Sequence, residues 1–258
     1  MPSTTSLKRA LRALLALAFW LAVWMAAVWR LQQQGMAQAL ILPDPLTVVR
    51  RLGELAATAP FWQTVALSLG RVLLGLVWGA ALGAVLAALS CASQWLDAVI
   101  APAVRVIRAT PVASFILLVL LWTRRETVPV VIAALMVLPV MWGNVAQGIR
   151  QTDPKLLELA RAYRFSRAKT ARLVVLPSVR PYVLSALTTS LGLAWKAGVA
   201  AEALCLPEVA IGTRIYTTKY YLETPDLFAW TLTVIVLSMA LEWALTALVR
   251  RLERGQGG

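Results

Sequence analysis

One hydrophobic run contains four residues whose types and spacing could line a path for a solute. Ser185, Thr189, Gly192 and Lys196 recur at intervals of four, three and four residues, so they share one narrow stripe of a helix. A charged side chain at membrane depth costs roughly 2.5–3.5 kcal/mol on insertion scales. In one interpretation the stripe lines a water-filled path, and Lys196 attracts an anionic solute. In the other, Lys196 reaches the surface or pairs with Glu202 while the small residues pack helices.

Arg71 belongs to a second regular pattern, in which Gly75, Gly79 and Gly83 follow it at steps of four residues. Glycines at this spacing let a neighbouring helix approach closely, as membrane helices do when water supplies no driving force. Arg71 either extends to the membrane interface or points into the bundle, where it would join the path.

The residue types on which most enzymes depend are absent or isolated. The chain has no histidine, and Cys91 and Cys205 lack the spacing of a metal or disulfide motif. Glu202 and Glu242 are the only acidic residues inside the last two spans, which is too few for a proton relay. The phosphate-binding pattern Gly-x-x-x-x-Gly-Lys-Ser/Thr does not occur. We therefore expect no catalytic residue, no metal site, no cofactor and no ATPase site of its own.

The composition is that of an integral membrane protein. Of the 258 residues, 60% are hydrophobic and 14% are charged, whereas a soluble domain has about 25% charged residues. Six spans are predicted, near residues 11–31, 64–90, 112–122, 128–149, 182–204 and 227–249. Ala37-Gln38-Ala39 has the form of a signal-peptidase site, but the run before it is too long, so we expect a retained anchor. The prediction is an all-α membrane protein.

The lysines and arginines predict the orientation of the spans. With both termini in the cytoplasm, 16 of the 25 basic residues face that side and seven face the other. These charges cluster at the ends of apolar runs, so the formal charge of +13 does not indicate nucleic acid binding. Arg105 and Arg108 are expected in a short loop that ends at Pro111. The loop after the fourth span then faces the compartment that holds ATP.

That loop, residues 152–182, is the longest polar interval between two apolar runs. Asp153 can cap a helix that starts at Pro154. Its apolar face would consist of Leu156, Leu159, Ala160 and Tyr163. Ser166 can cap a second helix that ends at Pro177, and Pro181 opens the next apolar run. A basic loop with an apolar face could fill a groove on another protein, or it could be only a positively charged loop.

The loop resembles a known motif. Glu158-Leu159-Ala160, a turn near Arg164-Phe165-Ser166 and then Leu176-Pro177 resemble the "EAA" loop of binding-protein-dependent ABC importer permeases. Residues 191–204 and 221–231 are similar to the nitrate/sulfonate/taurine branch, and the resemblance covers residues 42–249. That family usually has alanine at the position of Leu159 and glycine at that of Arg164, so the turn here lacks its usual residue.

The resemblance implies the type I ABC importer (MetI-like) permease fold with about six transmembrane helices. Residues 1–41 would form a cytoplasmic tail and the first span, residues 42–250 the permease core with the coupling loop at 150–181, and residues 251–258 a cytoplasmic tail. The coupling to the ATPase would use Glu158, Leu159, Ala160, Tyr163, Arg164, Phe165 and Ser166.

The resemblance also implies the partners, the location and the solute. The partners would be two copies of an ATP-binding subunit, a second permease copy and a solute-binding protein outside the cytoplasm. The solute-binding protein would contact the outer loops of the permease. The whole assembly would lie in or at a bacterial inner membrane. The solute would be a small anion such as a sulfonate, taurine or nitrate. The alternative is a secondary transporter or channel that works alone, which would leave the basic loop unexplained.

Overall fold

The computed structural model describes residues 4–33, 35 and 41–254, and all regular structure in these ranges is helical. The helices are α1 (Thr4–Gln33), α2 (Pro45–Ala56), α3 (Ala59–Ala92), α4 (Gln94–Ala109), α5 (Val112–Leu120), α6 (Val128–Arg150), α7 (Pro154–Ala162), α8 (Arg167–Thr170), a π-helical turn (Ala171–Val175), α9 (Leu176–Cys205), α10 (Ile211–Tyr220) and α11 (Thr224–Arg254). The Ala37–Ala39 segment and residues 255–258 of the predicted tail lie outside the described residues.

The number of candidate spans agrees with the predicted fold of about six. Five helical segments are long and apolar enough to cross a membrane, and α4 with α5, which are bent by 105°, make a sixth if the pair counts as one broken span. Arg105 and Arg108 lie within α4, so the prediction that they belong to a loop is wrong. The break falls instead at Thr110 and Pro111, because a residue before proline is driven to extended backbone and Thr110 has ψ 130°.

Pro177 and Pro181, at the end of the predicted loop, do not interrupt the helix. One apolar helical segment runs from Arg167 to Cys205, so the predicted helix end at Pro177 and new start at Pro181 are both wrong. A π-helical turn precedes Pro177, and the Leu176 amide donates to the Ala171 carbonyl across it. The wider turn accommodates a proline ring that would otherwise meet the carbonyl four residues earlier.

The chain divides into two compact units, and the first comprises Met1–Trp62 and Arg214–Val234. In it, the Trp24 indole donates to the Pro43 carbonyl (3.0 Å). Asp44 caps α2, and hydrogen bonds from the Thr47 hydroxyl and amide hold the pKa of Asp44 below its usual value. Two bonds from the Arg51 guanidinium to the Asp226 carboxylate join α2 to the start of α11 and raise the pKa of Arg51.

The second unit comprises Gln63–Thr213 and Ile235–Gly258, and α6 lies at its centre. The predicted glycine pattern packs directly on α6. A Cβ added at Gly75, Gly79 or Gly83 would come within 2.5–2.6 Å of a backbone carbonyl oxygen of α6. On another side of α6, Val128 and Ile132 pack with Ala201 and other small residues of α9 in one buried cluster. Helix α9 is therefore fixed on α6 by the face opposite its polar stripe.

Candidate translocation path and coupling loop

The predicted polar stripe lies on the face of α9 that the chain leaves uncovered. Ser185, Thr189 and Lys196 are exposed, and Gly192 is half-buried between them. The buried face of α9 carries alanines, Leu191 and other apolar residues instead. The structure therefore brings the four predicted residues together on one accessible wall.

Three of the four residues, Thr189, Gly192 and Lys196, line a cavity of about 470 Å³ whose other side is the second half of α11, whereas Ser185 lies outside its lining. The cavity is lined by Thr188, Thr189, Gly192, Leu193, Lys196, Glu242, Leu245 and Thr246. Lys196 is nine residues from the end of α9, or about 14 Å along the axis, so it lies well inside a helical segment that is long and apolar enough to cross a membrane. Glu242 also lines this cavity and was not predicted to do so. An acidic residue inside the last predicted span was the one indication in the sequence that it could face a polar space.

Arg71 lies apart from this cavity, against Glu202. The Glu202 side chain is fully buried, and its carboxylate accepts hydrogen bonds from Ser68 Oγ (2.8 Å), the Gly212 amide (3.2 Å) and Arg71 Nη1 (3.3 Å). Glu202 is thus engaged by Arg71, and the alternative in which it pairs with Lys196 is not what the structure shows.

The same cluster holds the connection between α9 and α10. Arg71 Nη1 also donates to the Val209 carbonyl (2.8 Å), and the Ile211 amide donates to Ser68 Oγ (2.9 Å). Residues 206–213 are therefore attached to both α3 and α9 by hydrogen bonds, two of which involve a charged side chain, Arg71 or Glu202. Bonds of this kind are roughly twice as strong as neutral ones.

The coupling loop forms the short capped helix that its sequence predicts. Asp153 accepts a hydrogen bond from the Lys155 amide (2.9 Å) at the start of α7. Of the predicted apolar face, Ala160 is 3% exposed and packs within the chain, whereas Leu156, Leu159 and Tyr163 are 44%, 55% and 70% exposed. Most of the face is therefore available to a partner.

The turn that ends α7 forms without glycine. Arg164 adopts the left-handed conformation with φ 52°, its amide donates to the Arg161 carbonyl (2.9 Å), and the Phe165 amide donates to the Ala160 carbonyl (2.8 Å). These two bonds define the Schellman motif, in which glycine is the usual residue. Ser166 then caps α8 by accepting from the Lys169 amide (3.3 Å). The loop therefore keeps the expected geometry, although Arg164 adopts a backbone conformation that is unfavourable for a residue with a Cβ.

Comparison with known proteins adds independent information. Residues 63–254 match the model of the family described as "Binding-protein-dependent transport system inner membrane component". The chain is 32% identical over 214 residues to a putative aliphatic sulfonates transport permease protein, SsuC, of Escherichia coli (strain K12), covering 82% of this chain and 81% of that protein. It is 26% identical over 243 residues to the taurine transport system permease protein TauC of the same strain, covering 92% and 88%.

A solved structure of the MetNI methionine ABC transporter in an inward-facing conformation shares the fold. Its TM-score to this chain is 0.60 at 19% sequence identity, and the match covers 74% of this chain and 93% of the other.

Proposed function

The chain belongs to the family of binding-protein-dependent transport system inner membrane components and is a multi-pass permease subunit of an ABC importer with the MetI-like fold; from this premise we propose how it couples to ATP and what it carries. The helix α7 docks into a separate ATP-binding subunit, one for each of two permease copies. The wall of α9 that carries Lys196 lines the path of a small solute with an anionic group, such as a sulfonate, taurine or nitrate. Both termini and α7 face the cytoplasm.

The exposed apolar face of α7 is the observation that carries the coupling proposal. Leu156, Leu159 and Tyr163 stand out from a helix of only nine residues in a loop rich in arginine and lysine. Apolar side chains grouped on an exposed surface and surrounded by charge mark a protein interface. Hydrogen bonds fix both ends of α7, so the backbone N–H and C=O groups at its ends already have partners. Such a helix can move as a rigid body when the ATP-binding subunit moves.

A second permease copy closes the path on the side that α9 and α11 leave open. The polar stripe of α9 is uncovered in the single chain, and a stripe of small and polar residues is a poor surface for lipid. A second copy related by a two-fold axis would face it with the same residues. ATP binding would draw two ATP-binding subunits together, and the α7 helices moving with them would switch the spans between inward-open and outward-open states.

The coupling proposal is tested by changing one exposed residue of α7. We expect Leu159→Asp to remove the ATP-binding subunit that co-purifies with the wild-type chain from its own cells, as measured by mass spectrometry and ATP hydrolysis. Leu46→Asp is the matched control, because Leu46 is 68% exposed at the start of α2 and lies outside the predicted spans. Ala160 is a poor test site, since it is buried and its replacement would disturb α7 itself.

Retention of the ATP-binding subunit by the Leu159→Asp variant would contradict the docking role of α7. Solute uptake by vesicles that contain the purified chain and no ATPase would favour the alternative of a transporter that works alone.

A further inference from the structure

The cavity between α9 and the second half of α11 holds side chains of opposite charge. Lys196 and Glu242 both line it. The Glu242 carboxylate lies beside the backbone of α9, because a Cβ added at Gly192 would be 3.2 Å from Glu242 Oε1. Gly192 and Lys196 are one helical turn apart, which is about 6 Å along the axis. One small cavity therefore contains a positive and a negative side chain that are separated by about one helical turn along α9.

Neither of these charges is neutralised within the described part of the chain. Among the residues that the structure describes, neither Lys196 Nζ nor the Glu242 carboxylate has an ion-pair or hydrogen-bond partner. Ionised groups at this depth are costly unless something compensates them. A ligand with groups of both signs would compensate both.

We propose that this cavity binds a small zwitterion, with the sulfonate or carboxylate of the ligand at Lys196 and its ammonium group at Glu242. The inference rests on the proposed function, because it narrows the solute class of the same path. A solute with only a negative charge would be attracted by Lys196 and repelled by Glu242. A solute that is neutral overall, with separated charges, matches a site that is itself neutral overall.

Two threonines that line the cavity together with Glu242 favour the same orientation of the ligand. The hydroxyls of Thr188 and Thr189 donate their hydrogens to the carbonyl of Ser185 (2.8 and 3.1 Å). Their oxygens therefore face the cavity as acceptors, which suits an ammonium donor. A volume of about 470 Å³ lies within the range of about 300–1,000 Å³ that is typical of small-molecule sites.

The test is a competition experiment with the full-length permease in lipid nanodiscs and radiolabelled taurine as the probe. The competitors are pairs with and without an amine: unlabelled taurine against ethanesulfonate, and β-alanine against propionate. In the wild type we expect each zwitterion to compete about tenfold better than its amine-free partner. Glu242→Gln should abolish that preference, and Lys196→Met should weaken both members of each pair by about tenfold or more.

Two matched changes control for general effects of lost charge. Glu126→Gln and Arg124→Met remove charges in the exposed turn between α5 and α6, and both should leave the competition pattern unchanged. Equal competition by the amine-free compounds in the wild type, no binding of any probe, or an unchanged preference in Glu242→Gln would each overturn the proposal. Co-purification of the ATP-binding subunit, measured on the same preparations, separates these outcomes from failure of the proposed function.

Discussion

The close packing of α3 on α6 predicts that replacing a glycine of α3 by alanine destabilises the protein at one position and not at another. At Gly79 an added Cβ would lie 2.5 Å from the Ala134 carbonyl oxygen and 2.7 Å from Val137 Cβ. Neither atom can move unless α6 itself shifts, and overpacking of this kind costs about 1–3 kcal/mol. Replacing a helical glycine by alanine gains up to about 1 kcal/mol. We therefore expect Gly79→Ala to destabilise the protein by about 1–2 kcal/mol.

The matched change is Gly70→Ala, nine residues earlier in α3, where an added Cβ meets nothing within 4 Å. Only the gain in helix propensity applies there, so the variant should be as stable as the wild type or more stable by up to about 1 kcal/mol. Thermal unfolding of the purified protein in detergent, followed by tryptophan fluorescence, measures both. If Gly79→Ala unfolds at or above the wild-type midpoint while Gly70→Ala behaves as expected, the packing described for α3 on α6 is wrong.

Three further substitutions test local features. Arg164→Gly should stabilise the turn after α7 by about 1 kcal/mol, because glycine has no Cβ penalty at positive φ, and slower amide exchange in the loop would show it. Glu202→Gln should lower the free energy of unfolding by about 1–3 kcal/mol through loss of a buried charge pair; unchanged exchange at the Gly212 amide would contradict this. Arg51→Met should cost about 1 kcal/mol or less, since the pair with Asp226 is partly exposed, and a larger shift of the midpoint would show that this pair is more than a surface contact.

Much of the fold follows from local patterns in the sequence. Span positions come from runs of apolar residues that must satisfy their own backbone hydrogen bonds in lipid. The start of α7 follows from Asp153 and Pro154, and the close packing of α3 follows from glycines at steps of four. The exposed polar stripe of α9 was also predictable, because helical periodicity alone decides which residues share a face.

Other features depend on how distant segments meet, and the sequence left them open or misplaced them. Arg71 and Glu202 are 131 residues apart, and only the packing of α3 beside α9 brings the arginine to that carboxylate. Glu242 joins the wall of Lys196 for the same reason, through the position of α11 next to Gly192. The sequence predicts a helix end at Pro177, but the π-helical turn before it lets the helix continue through the proline.

The sequence by itself determined that the long apolar runs are helical and which residues share a face of each helix, because these depend on contacts within four residues along the chain. The tertiary structure decided which face meets which neighbour. That outcome depends on the crossing and rotation of whole helices, set by the fit of many side chains at once. The opposed charges of the α9 cavity, and the ion pair that holds residues 206–213, are products of that fit.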